Sequence, residues 1–575
     1  MAEENTKEKF LEVMRSRFQE AQTAENENRA NALDDLKFIH NFRHHQWPES
    51  DKQTRANEKR PMLTHNLLRK FMRSMVGAMK QTRPGIKVRP KDSAGDVITA
   101  DIMTDLIRQI EKDVESPADQ AYDKAYEGAV GNAFGFFRLA SRYEKDESFE
   151  QKLQLQRIAN PFNVLFDPNT ANFLKTDADY CFVSTTMSRE KFKKKWPHAT
   201  PGDHWRSMGT AYEKWFMSDT VRIAEYFYKV PMVKVIAQLD DLSIVELTPK
   251  ITPELIAQSG RQIIKHKRVF SHTYMWTKVS GNEILEKPRR WPGRYIPIIP
   301  VYGDEVNIDG QRALFSFFRD AKDPQTMYNF WLTAATEIVA LSPKTPYIGT
   351  AKQFKNHEKK WREANLKNYA FLPYNADPKT KMAPRREPGS VIPGGHIAMM
   401  NIAESNIMGT LGRYEASMGQ TSNERSGKAI KARQSASDQV TFSYLDNFHQ
   451  SLMYAGYQLV DLIPSIYDTN RIVRLRGPED TVKFAEINTP YYDPETDSVM
   501  IFNDLSRGDY DAELDVSPSY ASRRQEAVEN MIEIIQYVPG AGPLVADLII
   551  KNMDFPGAQD IAERLKAASQ QAPQP

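Results

Sequence analysis

The chain has 575 residues, enough for several domains with sizeable cores. Lysine plus arginine (77) nearly balance aspartate plus glutamate (75), a net charge of +2 that excludes a surface given over to nucleic acid and makes any such contact local. The single cysteine, Cys181, excludes internal disulfides and multi-cysteine zinc sites and fits a reducing cytoplasm. The charged start MAEENTKEKF has no signal-peptide core, and no run of about 18 apolar residues is present to span a membrane.

In chain order, residues 2–37 read as one or two charged helices. Phe38 to Trp47 (FIHNFRHHQW) reads as a surface helix with aromatic anchors. It places His40 and His44 four apart, but no acidic or cysteine ligand stands beside them, so a metal site is not expected. The pattern from Asn66 (NLLRKFMRSMVGAMKQTRP) is an amphipathic helix stopped by Pro84, and 86–90 alternates as a strand. Helices are expected over 96–115 and 117–131, then a strand Phe134–Leu139. Gly128, Gly131 and Gly135 lie in helix-then-strand order, the reverse of a phosphate loop, and indicate close packing instead. Short strands fill 153–187, Ser188 caps a lysine-rich helix, and 221–301 is mostly strand. Trp276, Trp291 and Tyr295 read as core or interface, and Tyr295–Tyr302, broken by two prolines, as a buried edge segment. Residues 41–317 therefore read as one mixed α/β body.

The pattern changes at Arg319. Asp320–Leu341 is a helix with few charges after its first turn, and His396–Met418 is a second helix of small and apolar residues. Between them, Lys344–Glu387 carries eleven basic and four acidic residues, which makes it the one strongly basic module of the chain. It has the character of an insertion held on a two-helix stalk. After the loop Gly419–Arg425 comes a helix of roughly 35 residues, or about 50 Å at 1.5 Å per residue. Its second half has an apolar seam at Leu445, Phe448, Leu452, Ala455, Leu459 and Leu462, whereas its start is polar and basic, with Lys428, Lys431 and Arg433.

That stretch, ERSGKAIKARQSASDQVTFSYLDNFHQSLMYAGYQLVDLIPSIYDTNRIVRLRG, resembles the portal proteins (head-to-tail connectors) of tailed bacteriophages, in the short-tailed podovirus branch. Further segments match in the same order: 60–90, AYDKAYEGAVGNAFGFFRL (121–139), NPFNVLFDPN (160–169) and 509–535. The resemblance covers roughly 35–540. It implies an α+β multi-part portal fold in a ring of about twelve subunits at one capsid vertex, with double-stranded DNA passing through a central channel for packaging and ejection. On that plan, residues 1–40 form an N-terminal helical segment and 41–317 a mixed α/β wing. Residues 318–341 and 393–418 form two stem helices around a small α/β clip at 342–392. Residues 419–470 hold the channel loop and a long wing-crossing helix, 471–520 wing strands, and 521–575 a helical crown with a short disordered tail. A long C-terminal barrel, known in some relatives, is absent or minimal.

The resemblance also implies partners: the terminase large subunit, then the head-to-tail adaptor, with capsid and scaffolding proteins, and neither membrane nor cofactor. The site is the virion portal vertex, after assembly in the host cytoplasm. Arg413, Arg425, Lys428, Lys431 and Arg433 become candidates for facing DNA in the channel, with subunit–subunit salt bridges the equal alternative. Lys355, Lys359, Lys360, Arg362, Arg385 and Arg386 become candidates for partner binding on the clip. An enzyme of DNA processing is the competing class. Ser426–Gly427–Lys428–Ala429 lacks the first glycine and the Ser/Thr of a nucleotide loop. The acids Asp509, Asp511 and Asp515, and Asp493 with Asp497, sit in turn-rich stretches that read as surface loops rather than a metal-dependent nuclease centre. A third class is a ring or shell protein unrelated to DNA passage.

Overall fold

The computed structural model describes residues 2–575 apart from 82, 92–94, 200–219, 241–243, 248–250, 259–260, 282, 341–346, 365–366, 388–393, 413–426, 478–481, 494–497, 516–527 and most of 529–541 and 554–575; in some elements, including 427–439, only the backbone is described. The chain is mixed α/β and divides into two compact units. One comprises 1–33, 73–316 and 442–575, the other 34–72 and 317–441.

The chain opens with α1 (Ala2–Ala24), α2 (Asn26–Ile39), α3 (Glu49–Asn57) and α4 (Leu68–Gln81), then β1 (Gly85–Pro90), α5 (Val97–Glu111) and α6 (Ala118–Asn132). Strands β2 (Phe134–Tyr143), β3 (Gln151–Arg157), β4 (Val164–Phe166) and β5 (Tyr180–Ser188) follow, then α7 (Arg189–Lys195). Next come β6 (Thr220–Leu239), β7 (Ile244–Leu247), α8 (Pro253–Gln258), β8 (Ile263–Val279), β9 (Ile284–Arg290), β10 (Ile298–Tyr302), β11 (Asp304–Ile308) and β12 (Gln311–Phe315). The second unit adds α9 (Lys322–Ala340), β13 (Tyr347–Ile348), α10 (Ala351–Phe354), α11 (Glu358–Glu363), β14 (Arg385–Arg386) and α12 (Gly394–Thr410). Helix α13 runs Gly427–Ile466 and is followed by β15 (Arg471–Arg476), β16 (Val482–Ile487), β17 (Thr489–Asp493), β18 (Ser498–Phe502), β19 (Tyr510–Asp515) and α14 (Gly542–Asn552).

In the first unit the largest sheet has the order β4-β5-β6-β8-β9, all antiparallel, with β7 added on β6. Both faces of its centre are covered, so successive residues alternate between two cores. Tyr180 and Phe182 point to the side where Leu11, Met14, Phe18 and Ala21 of α1 pack at helical spacing. Cys181 and Val183 point to the other side, among Phe136, Phe166, Phe227 and Tyr302, with Trp276 and Trp291 against its rim. This is why YCFV reads as a continuous apolar run. A second sheet has the order β10-β2-β3, with β10 at its edge. Helix α6 lies on β2 through small residues: a Cβ added at Gly135 would collide with the backbone carbonyl of Ala125, and one at Gly128 would come within 2.7 Å of the Phe134 carbonyl. The glycines serve close approach, not phosphate binding.

Three expectations change. Phe38–Trp47 is not a helix. Helix α2 ends at Ile39, and Asn41, Arg43 and His44 adopt left-handed angles around a short 3-10 turn. The Asn41 side chain accepts from the Gln46 amide, and Gln46 donates to the Phe38 carbonyl, so local side-chain bonds replace the helical ladder. The spacing of His40 and His44 therefore has no helical meaning. The second small-residue helix stops at Thr410 rather than Met418, because Gly412 takes a positive φ and closes it in the manner of a glycine cap. Residues 41–72, grouped by sequence with the body, pack with 317–441 instead. Of the region 521–575, expected to be helical, a helix over Gly542–Asn552 is observed, and most of the remainder lies outside the described residues.

Candidate functional site

Two long helices set the geometry around the residues singled out by sequence. Helix α13 buries Phe448, Leu452, Ala455, Leu459 and Leu462, with Phe448 edge-on to Tyr126 (5.4 Å) and Tyr122 (6.2 Å) of α6. Beside this seam runs a row of polar side chains. Tyr444 donates to the Phe315 carbonyl (3.1 Å), Asn447 to Gly303 (3.0 Å), Ser451 to Pro300 (2.7 Å) and Gln458 to Ile296 (3.0 Å), while Asp461 accepts from the Arg294 amide (2.7 Å). The helix thus satisfies carbonyls of edge strand β10 and its flanks, from Ile296 through Pro300 to Gly303, along an edge where Pro300 has no N–H to offer. An edge that would invite strand addition is closed by side chains.

The second unit repeats the device. Gln325, Asn329, Thr333 and Glu337 occupy one face of α9 at four-residue intervals, and all are buried. Gln325 accepts from the Leu67 amide (3.1 Å) and donates to the His65 carbonyl (2.9 Å). Asn329 accepts from the His65 amide (3.0 Å) and donates to Gln46 (2.9 Å), and Thr333 accepts from the Leu63 amide (3.2 Å). Four helical residues advance about 6 Å and two extended residues about 6.6 Å, so the registers match over the whole segment. At the end of the row, Glu337 receives Arg55 (2.7 Å) and Arg60 (2.8 Å). The hydrogen bond from Arg60, with the charge of Arg55, holds the Glu337 carboxyl below its usual range. Sequence reasoning missed this row. Its signal was the i, i+4 repeat of Gln, Asn, Thr and Glu in an otherwise apolar helix.

Helix α12 packs on α9, with Trp331 edge-on to His396 at 5.3 Å and with Ala403, Ile407 and Leu411 buried. The pair leaves Met327 and Phe330 of α9 and Ile397, Met399 and Ile402 of α12 exposed.

The basic module between these helices is organised on Trp361, which meets Tyr347 at 4.9 Å and Phe354 at 5.1 Å and donates to the Pro373 carbonyl (2.7 Å). Thr350 and Gln353 form a capping box on α10, and β13 pairs with β14. This small frame leaves Lys355, Lys359, Lys360, Arg362, Arg385 and Arg386 all exposed. The Lys360 ammonium lies over Phe371 (5.4 Å) and the Arg386 guanidinium over Tyr347 (5.6 Å), cation–π contacts at an exposed surface. Arg385 is 3.8 Å from Glu387.

Of the other candidates, Arg413 and Arg425 lie outside the described residues. Lys428, Lys431 and Arg433 fall in the first turns of α13, where the backbone alone is described. At about 100° per residue, the Cα positions of Lys428 and Lys431 are about 60° apart, whereas that of Arg433 is about 140° from Lys428. Asp511, Glu513 and Asp515 line one face of β19 opposite Arg89, Lys87 and Gly85 of β1, Arg89 pairs with Glu513, and Asp509 stands just before the strand. They form a cross-strand charge ladder. Among the described residues no three His, Cys, Asp or Glu side chains converge as a metal site, and no helix is long and apolar enough to cross a membrane.

Comparison with known proteins gives one family. The family model described as Phage P22-like portal protein matches residues 15–575. A protein named "Portal protein" from Acyrthosiphon pisum secondary endosymbiont phage 1 is 26% identical over 536 residues, covering 88% of this chain and 73% of that protein.

Proposed function

This chain belongs to the phage P22-like portal protein family, a family of structural proteins rather than enzymes, and we propose that it forms a dodecameric ring at one capsid vertex through which the genome is packaged and ejected. The match along 15–575 carries the reading. In this assignment the first unit supplies the wing, α9 and α12 are the stem, the basic module is the clip, and α14 belongs to the crown. The apolar side chains that α9 and α12 leave exposed support a stem completed by neighbouring copies, since among the described residues none covers them.

A channel that guides DNA must not hold it, because each neutralised phosphate tightens binding through counterion release. A few positive groups per subunit, repeated around a ring, suffice to set the field. The channel-facing set is Arg413, Arg425, Lys428, Lys431 and Arg433. The exposed cations Lys355, Lys359, Lys360, Arg362, Arg385 and Arg386 present the clip to the terminase during filling and to the tail adaptor afterwards. Changing Lys428, Lys431 and Arg433 together to Ala tests the channel role. Rings should still assemble while packaged DNA per capsid falls; loss of assembly would make these residues interface instead.

A further inference from the structure

A closed ring of identical chains needs two different surfaces that fit each other, one on each flank of the subunit. The first unit carries such a pair. Between β2 and β3, the turn Glu144–Glu150 carries Glu144, Asp146, Glu147 and Glu150 against Lys145 alone. Its Phe149 is 97% exposed, and Tyr143 beside it is also exposed. The turn is ordered by its own hydrogen bonds, Glu144 N–H to the Glu150 carbonyl (2.8 Å) and Ser148 N–H to the Lys145 carbonyl (3.0 Å). A pre-shaped acidic knob with an aromatic tip loses little entropy on docking.

The second surface is a cleft of about 620 Å³, the size of a ligand pocket, bounded by β8, β9, α13 and the segment before β19. Lys91, Lys234, Arg290 and Arg294 line it, against Asp461 and Asp509, and Tyr295 and Tyr457 supply aromatic wall. Arg294 pairs with Asp461 and Lys234 with Glu246. Arg290 donates to Thr273, and among the described residues neither Arg290 nor Lys91 has an ion-pair partner. The cleft uses Tyr457, Asp461 and Pro464 of α13, about half a turn from the seam Leu452, Ala455, Leu459 and Leu462. Strand β2 lies on the seam side, where Tyr122 touches both Phe137 and Phe448. The turn itself lies past the C-terminal end of α13, where Arg471 donates to the Gln151 carbonyl (3.1 Å) and stands 3.7 Å from Glu150, which leaves Glu144, Asp146 and Glu147 for a neighbour.

We propose that the turn Glu144–Glu150 of one copy seats in the cationic, tyrosine-walled cleft of the next, with Phe149 as the anchor and Arg290 and Lys91 as the partners of its carboxylates. This rests on the ring reading above, and the test separates the two. Cys181 is fully buried, so a Phe149→Cys, Arg290→Cys double variant of the full chain carries the only accessible thiols. Oxidising the assembled protein should give a ladder of covalent oligomers on a non-reducing gel, with neither single variant forming one. Lys91→Glu with Arg290→Glu should lower the assembled fraction about tenfold, and adding Glu144→Lys, Asp146→Lys and Glu147→Lys should restore it. Wild-type rings without a ladder, and with assembly indifferent to charge reversal, would overturn the knob-and-cleft contact and leave the ring intact. Absence of rings in the wild type would overturn the ring itself.

Discussion

The polar row on α9 makes a demand that a substitution can meet or fail. In Asn329→Leu the forked side-chain shape is kept, but the part-buried His65 amide (3.0 Å) loses its acceptor and the buried Gln46 side-chain oxygen (2.9 Å) its donor. Each orphaned buried group costs about 1–3 kcal/mol. Leucine recovers at most about 1.5–3 kcal/mol by burial, and less in a pocket lined by amides and carbonyls. The orphans therefore win by about 2 kcal/mol. Because the damage is local, hydrogen exchange reads it better than a global melt of a multi-part chain. Amides of residues 61–67 should exchange about 30-fold faster, with peptides of β2 and β3 unchanged. Thr333→Val, which removes one acceptor from Leu63, should give a smaller change in the same segment. Unaltered protection at 61–67, or equal acceleration in β2 and β3, would show that the row does not hold this segment.

Gly135→Ala should lower the free energy of unfolding measured in urea by about 3 kcal/mol or abolish soluble folding, since its Cβ meets the Ala125 backbone, which cannot move aside like a side chain. Burial first, and then the Arg312 charge, push the Lys175 ammonium down to about 8 from its ordinary 10.5. The unfolded chain therefore binds the extra proton between pH 8 and 10.5, so this group raises stability as pH climbs through that window and withdraws it as pH falls. The span is worth about 3 kcal/mol. Urea titrations from pH 7 to 10 should show wild type gaining on Lys175→Met; parallel profiles would contradict the assignment.

How far the sequence speaks depends on the physics that each element uses. Where one side of a helix meets apolar surface, periodicity is enough: the α13 seam could be read in advance because Phe448 to Leu462 repeat at helical spacing. Pro297 and Pro300 were equally legible, since a missing N–H leaves its mark in residue type, and β10 lies at the edge of its sheet. The α9 row was not. Gln, Asn, Thr and Glu on one face look solvated, and their partner, residues 61–67, is an extended segment with no periodicity of its own. That pairing joins residues about 260 positions apart, so no local pattern can show it. The same blindness placed 41–72 with the wrong body. The Phe38–Trp47 turn was misjudged because Asn41 and Gln46 bond locally to the backbone, which helical spacing rules do not count. The basic module was half visible: composition showed its cations, but not the Trp361–Tyr347–Phe354 cluster that it is built on. For Arg413, Arg425, Lys428, Lys431 and Arg433, charge and position in the chain marked candidates without saying whether DNA or a neighbouring subunit faces them.

The central claim is a ring with a passage for DNA. Electron microscopy of the purified full chain tests it most directly. The expected result is closed rings, near twelve-fold, with a central hole wide enough for duplex DNA. Monomers, or closed shells without a through-channel, would contradict it.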